Sequence, residues 1–309
     1  MKQSIQKYQL LIQDVHKSYG TKKVLNDIDM VVRKGEFCTV VGPSGCGKST
    51  LLRLILGQED PSSGIIFVNG KPVESPGIDR GIVYQRYTLF PHLSVLENVI
   101  LGKTLRLSPL KIRSVKRGFI DEAMSYLERM RLSEHAHKLP SELSGGMRQR
   151  VAIAQALLAS PRILLMDEPF GALDLETREE MQLFILELWE SSGMTIFFVT
   201  HDLEEALFLG SRIFVLSQYY SDNTDKNGKG TKGAKIVADH RLARSAGATT
   251  VKQSDGFQAL LQSIRNDGFN PKHLQHVLNF NLSHPDSFRT LSPEESDETD
   301  QGKIPELYK

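Results

Sequence analysis

The sequence predicts an α/β protein with a mainly parallel sheet, an antiparallel β portion near the N-terminus and an inserted helical portion. Three observations carry this. Apolar runs at Phe37 to Val41, Ile163 to Met166 and Thr195 to Val199 read as strands, and each precedes a helical pattern. Ile65 to Val68, Asn69-Gly70 and Lys71 to Val73, between the first of these runs and the second, give an antiparallel hairpin signal. Between the first strand and the helix Leu51 to Leu56 stands Gly42-Pro43-Ser44-Gly45-Cys46-Gly47-Lys48-Ser49-Thr50, which matches G-x-x-x-x-G-K-[ST] at every fixed position.

That loop carries the first chemical expectation. Glycines let the backbone turn tightly with its N–H groups facing inward, where side chains would block an anion. The amides and the positive helix end receive phosphates, Lys48 reaches the β- and γ-phosphates, and the Ser49 hydroxyl ligates Mg²⁺. A nucleoside triphosphate is the expected ligand.

Composition sets the bounds. With 309 residues, 40% hydrophobic and 24% charged, the chain can bury a sizeable core. A formal net charge of +1 gives no electrostatic footprint for nucleic acid and no strong pull toward anionic lipid. The two cysteines, Cys38 and Cys46, are expected as reduced thiols, because a disulfide would distort the glycine-rich loop. Met1 to Leu10 has no signal-peptide apolar run, and no window approaches eighteen apolar residues. Membrane association is therefore expected through a partner.

Taken in order, Tyr8 to Val15 reads as a partly alternating strand, with His16 to Gly20 as the turn after it. Val24 to Val32 is a second strand region, and Gly81 to Tyr84 a short one ended by Gln85. Ser94 is an N-cap for a helix beginning at Val95, and Ile112 to Met130 repeats apolar residues at helical spacing. Lys111, Arg113, Lys116 and Arg117 form a solvated basic face. His135 and His137 lack a Cys or carboxylate cluster at ligand spacing and read as loop residues.

Leu143-Ser144-Gly145-Gly146-Met147-Arg148-Gln149-Arg150 precedes the helix Val151 to Leu158. Ser144 suits an N-cap, and Gly145 and Gly146 beside a helix start make a second anion nest. The strand Ile163 to Met166 ends in Asp167-Glu168-Pro169. Two carboxylates at a buried strand's exit are costly unless they meet a cation or a water network. In a phosphate-loop protein the simplest assignment puts Asp167 on Mg²⁺ and lets Glu168 polarise the attacking water. The helix Glu176 to Ser191 follows. His201 stands at the C-terminal end of the strand Thr195 to Val199, where ligands bind in open α/β sheets, and the helix Leu203 to Leu209 comes next.

Tyr219 to Gly233 has no aliphatic residue and is expected as an exposed, mobile loop, with Ala234 to Asp239 returning as a strand beside Ile213 to Ser217. Phe257 to Ile264 and Pro271 to Phe280 read as two short amphipathic helices, and the acidic Pro293 to Asp300 as disordered. The expected division is a domain over residues 8–242, with its helical part at about 95–158, and a C-terminal extension over 243–309.

This set of motifs, in this order, resembles the nucleotide-binding subunit of ABC transporters over roughly Tyr8 to Leu242. The resemblance implies a P-loop NTPase core with an inserted helical signature subdomain, and ATP with Mg²⁺ as ligands. By that likeness Tyr19 stacks on adenine, Gly42 to Thr50 is the Walker A loop, and Gln85 lies near Mg²⁺ and the attacking water. Leu143 to Met147, with Ser144, Gly145 and Gly146, is the signature that meets ATP held by the opposite subunit. Asp167 and Glu168 are the Walker B pair, Asp174 closes the D-loop Ala172-Leu173-Asp174, and His201 is the switch histidine at the γ-phosphate. Met147 replaces the commoner Gln. The version seen here, with Asp79-Arg80-Gly81 and Thr200 to Leu209, is similar to importers of nitrate, taurine and aliphatic sulfonates.

The likeness further implies an isologous homodimer around two ATP molecules, peripheral on the cytoplasmic face of the inner membrane. Its partners would be transmembrane permease subunits and, indirectly, an extracytoplasmic solute-binding protein, with no nucleic acid. Phe90 and Leu93 are either contacts for a permease helix or core residues. The competing classes are an exporter subunit, a non-transport ABC-type ATPase and a regulatory binder without turnover. Glu168 and His201 argue against the last. For the segment after Leu242 no regulatory motif is recognised.

Overall fold

The structure, a computed structural model, describes residues 8–86, 88–104, 107–221, 233–242, 255–270 and 275–276. The chain divides into two compact units, one of Met1–Gly77 with Thr195–Lys309 and one of Ile78–Met194.

The first unit opens with strands β1 (Tyr8–Tyr19) and β2 (Lys22–Arg33), paired antiparallel. His16 to Tyr19 are thus strand rather than the expected turn. They pair with β2 as Lys17↔Leu25, Ser18↔Lys23 and Tyr19↔Lys22, and the chain reverses at Gly20 and Thr21. Ladder hydrogen bonds hold these residues extended although their polar side chains show no burial pattern. The register shifts along this pair, and Asp14 (φ 48°) and Asp27 (φ 54°) are left-handed. The Asp14 amide donates to Asp29 Oδ1 at 2.8 Å, and burial pushes the Asp29 carboxyl up to about 6.

Strand β3 (Phe37–Val41) is wholly buried and leads through the glycine-rich loop into helix α1 (Lys48–Leu56). Strands β4 (Ser63–Val68) and β5 (Lys71–Pro72) complete an antiparallel sheet ordered β2-β1-β4-β5. Their hairpin turns on Asn69 (φ 53°) and Gly70 (φ 71°), the double positive φ that an Asn-Gly pair supplies cheaply.

In the second unit, β6 (Arg80–Val83) pairs in parallel with β7 (Ile163–Asp167). Between them run helices α2 (Val95–Thr104), α3 (Pro109–Arg129) and α4 (Gly145–Leu158), and α5 (Leu175–Ser192) follows β7. Ser94 caps α2 reciprocally: Oγ accepts from Glu97 N at 3.3 Å, and Ser94 N donates to Glu97 Oε2 at 2.8 Å. Helix α2 packs on α3 and α4, and α4 packs on β6. Asn98 is buried and holds the preceding loop through the Phe90, Leu93 and Ser94 carbonyls and the Phe90 amide. Phe90 is nevertheless 44% exposed, which removes its core alternative.

The chain then returns to the first unit with β8 (Thr195–Val199), α6 (Leu203–Leu209), β9 (Arg212–Ser217), β10 (Tyr220–Ser221), β11 (Lys235–Arg241), α7 (Asp255–Phe269) and β12 (Gln275–His276). Here β3 lies between β8 and β9 and is parallel to both, while β11 lies beside β9 as expected and runs antiparallel to it. Arg212 is buried and grips Asp239 with two hydrogen bonds, at 2.8 and 2.5 Å, a fork that suits a carboxylate. Among the described residues no helix is long and apolar enough to cross a membrane.

Two expectations fail here. The sequence puts Tyr220 in an exposed loop, yet it is 1% exposed; its hydroxyl donates to the Gly233 carbonyl at 2.9 Å and accepts from Asn26 Nδ2 at 3.1 Å. Its neighbours in sequence are polar, so nothing local announces the partners that bury it. Residues 222–232 of that stretch lie outside the described residues. Pro271 to Phe280 was expected as a helix, but Gln275–His276 pair in parallel with Tyr220–Ser221; the rest of that stretch, and Pro293 to Asp300, lie outside the described residues. Helix α7 packs Phe257, Leu261 and Ile264 against Leu203, Ala206, Leu207 and Val215.

Candidate active site

The phosphate loop owes its shape to two close approaches. A Cβ at Gly42 would stand 2.0 Å from the Leu216 carbonyl oxygen, so β9 passes too near for any side chain. Gly47 (φ 100°) caps α1, and a Cβ there would meet Leu25 and Val24 at 2.8 and 2.9 Å. As a glycine it offers no side-chain acceptor to the first amides of α1, and the first turn holds no acidic residue. The helix start is therefore an electropositive end with donors to spare. Lys48 Nζ donates to the Gly42 and Pro43 carbonyls at 2.7 and 3.1 Å. An ammonium has three protons, so one remains for a phosphate oxygen. Ser49 is exposed, whereas Cys46 is buried as a free thiol, its pKa raised by burial.

Tyr19, at the end of β1, is 43% exposed. Its hydroxyl donates to Glu59 and accepts from Arg53 Nη2 at 3.3 Å; Arg53 Nε in turn pairs with Glu59 at 2.6 Å. Lys17 Nζ lies 5.0 Å from the ring centroid. These charged neighbours fix the ring's orientation. The sequence does not link Arg53 and Glu59 to Tyr19, because they stand 34 and 40 residues from it.

His201 is exposed on the turn between β8 and α6. Asp202 caps that helix, with Oδ1 accepting from the Glu204 and Glu205 amides at 3.0 and 3.2 Å. The sequence Asp202-x-x-Glu205 has capping-box spacing, but the Glu205 carboxylate goes elsewhere: Thr200 Oγ1 donates to Glu205 Oε2 at 2.6 Å.

The second unit brings together Gln85 and Glu168. Gln85 Nε2 donates to Glu168 Oε2 at 3.0 Å, leaving the amide oxygen of Gln85 as an acceptor. Glu168 has φ 46°, a left-handed conformation unusual for glutamate and more so before proline. Asp167, at the end of β7, is partly buried. The buried Gln149 of α4 donates from Nε2 to the Tyr84 carbonyl at 3.0 Å, which ties the Gln85 segment to the helix behind the Ser144 turn.

Ser144 caps α4, accepting from Met147 N at 3.2 Å. Gly146 lies where a Cβ would be 3.2 Å from Leu173 Cδ2 and 3.3 Å from the Ala172 carbonyl, so the Ser-Gly-Gly turn abuts Ala172-Leu173. Asp174 caps α5 through Thr177 N at 3.0 Å and Thr177 Oγ1 at 2.9 Å, bonds that hold its pKa below the ordinary carboxylate value. Lys48, Ser49, Tyr19 and His201 therefore belong to the first unit, and Gln85, Ser144, Asp167, Glu168 and Asp174 to the second.

Comparison with known proteins bears on this arrangement. The family model described as ABC transporter matches residues 25–171. The nitrate import ATP-binding protein NrtD of Synechocystis is 48% identical over 198 residues, 64% of this chain and 72% of that protein. The chain belongs to the ATP-binding subunits of ABC transporters. The taurine import ATP-binding protein TauB of Rhizobium johnstonii is 42% identical over 249 residues, covering 80% and 90% of the two chains. A solved dimer of an ATP-binding cassette in a post-hydrolysis state, bound to ADP and Pi, aligns with TM-score 0.63 at 29% identity, over 76% of this chain and all of that one. As an ABC cassette the chain is an ATPase with the P-loop NTPase fold, a parallel sheet and an antiparallel sheet.

Proposed function

We propose that this ATPase powers import of a small solute of the nitrate, sulfonate or taurine type through a separate permease. Two copies act as a homodimer, peripheral on the cytoplasmic face of the inner membrane, and an extracytoplasmic receptor delivers the solute. The names of the nitrate and taurine import relatives support the solute class, and the dimeric cassette with ADP and Pi supports the assembly. The observation that carries the chemistry is the Gln85–Glu168 hydrogen bond, which fixes a carboxylate at the exit of a buried strand.

The residues divide the work. The loop amides at the uncapped start of α1 and the remaining Lys48 proton hold the phosphates, and the Tyr19 ring takes the base. Glu168, aimed by Gln85, accepts hydrogen from the attacking water, and His201 donates to the γ-phosphate. Ser49, Asp167 and the Gln85 amide oxygen are hard oxygen donors that suit Mg²⁺, which when bound offsets phosphate charge. The Ser144 hydroxyl and the Gly145 and Gly146 amides serve the ATP of the partner subunit. Met147 cannot donate as Gln would, so polar contact there rests on Ser144 and the amides.

Glu168→Gln is the direct test. Turnover should fall about 100-fold or more while ATP affinity stays within about threefold, because only the proton-accepting group is lost. Unchanged kcat would remove Glu168 from the reaction. Copurification of the chain with a multi-span membrane protein, and stimulation of its ATPase by a nitrate- or taurine-loaded receptor, would test the transport half.

A further inference from the structure

The mechanism above uses His201 but does not explain what aims it. The outer face of its turn opens on a cavity of about 560 Å³ lined by His201, Asp202, Glu204, Arg265, Asn266 and Phe269, among others. The backbone of the turn is held by bonds at the buried Thr200. Thr200 is 2% exposed and Glu205 6%, so the 2.6 Å bond between them is buried. That distance is typical of a hydroxyl donating to a carboxylate.

The same Thr200 hydroxyl accepts from the Asp202 amide at 3.0 Å, and the Thr200 amide donates to the Val40 carbonyl of β3 at 3.2 Å. Both residues flanking His201 are thereby held. One is anchored two residues ahead of Gly42, and the other is locked to the first turn of α6. The Asp202 amide would be the target of a capping-box glutamate, yet here it is served by Thr200. Glu205 is thus released from capping and grips Thr200. Burying a carboxylate is costly, and a polar network that is fully bonded holds one geometry.

We propose that Glu205 is a positioning residue for ATP hydrolysis: through Thr200 it fixes the turn that presents His201. It touches no reacting atom. The proposal rests on the reading of His201 as a γ-phosphate donor, and the test separates the two.

The experiment is a double-mutant cycle on the full chain, read by phosphate release and by binding of a fluorescent ATP analogue. Glu205→Ala should lower kcat about 10-fold or more with nucleotide affinity within about threefold. Glu205→Gln, which keeps an acceptor for Thr200, should recover most of the rate. In a His201→Ala background, Glu205→Ala should cost nothing further, because the group it aims is gone. An equal fractional loss in both backgrounds would overturn the role of Glu205 and leave His201 standing. A His201→Ala variant at full rate would overturn both. Should Glu205→Ala not fold, Thr200→Ser and Thr200→Val carry the same cycle: the first should retain the rate and the second lose it, and parity between them would refute the proposal.

Discussion

Two turns in this molecule pair glycines with a helix start, and they solve the helix's orphan amides in opposite ways. At α1 the cap is Gly47, which has no side chain to accept, so the amides stay open to an external anion. At α4 the cap is Ser144, whose Oγ takes the Met147 amide internally. The first turn is an anion receptor by default. The second is satisfied internally at Met147 alone, which leaves a hydroxyl proton and the Gly145 and Gly146 amides to offer outward. Steric confinement differs as well: a Cβ at Gly42 or Gly47 would meet neighbouring atoms at under 3 Å, whereas Gly145 has nothing within 4 Å of a Cβ position. The same residue type is thus compulsory in one turn and optional at one position of the other.

The largest effect should come from Gly42→Ala. Its Cβ would fall 2.0 Å from a backbone oxygen, so β9 or the loop must move. A loss of about 3 kcal/mol or more in stability and undetectable ATP binding are expected, by thermal melts and nucleotide titration. Retention of both would mean that the loop is not held against Leu216. Ser144→Ala comes next. It should cost about 1 kcal/mol through the lost cap and lower turnover about 10-fold. Ser144→Thr should restore both, and a rate unchanged in Ser144→Ala would sever that turn from hydrolysis. The smallest effect is expected at Gly145→Ala. Open space and a helical backbone should make it neutral or stabilising by about 0.5 kcal/mol, while Gly146→Ala, with Leu173 and the Ala172 carbonyl at 3.2 and 3.3 Å, should destabilise. Equal melting temperatures for the two would erase the distinction between crowded and open positions.

Legibility followed sequence distance. The phosphate-loop motif is one unbroken run from Gly42 to Thr50, and the Ser94 and Ser144 caps and the Asn69-Gly70 hairpin rest on residues within about four positions of one another, so their chemistry is written contiguously. The strand exit at Asp167-Glu168 could be read because a four-residue apolar run ends there. Glu59 under Tyr19 could not, since the pair is 40 residues apart and Glu59 sits in a polar loop. Glu205 was hidden differently: its spacing from Asp202 suggests a capping box, and only the folded turn brings its carboxylate to Thr200 instead.

By itself the sequence determined the local devices: which backbone turns accept phosphate, which helices start where, and which carboxylates stand at a strand exit. Those depend on φ preferences and on side chains reaching three or four residues along the chain. The tertiary structure alone decided that Tyr220 is buried beneath Asn26 and Gly233, that His16 to Tyr19 extend β1, and that α7 lays Phe257, Leu261 and Ile264 on α6 and β9. Each of those depends on apolar area or ladder bonds supplied by a distant segment, and a polar-looking stretch carries no trace of the partner that will cover it.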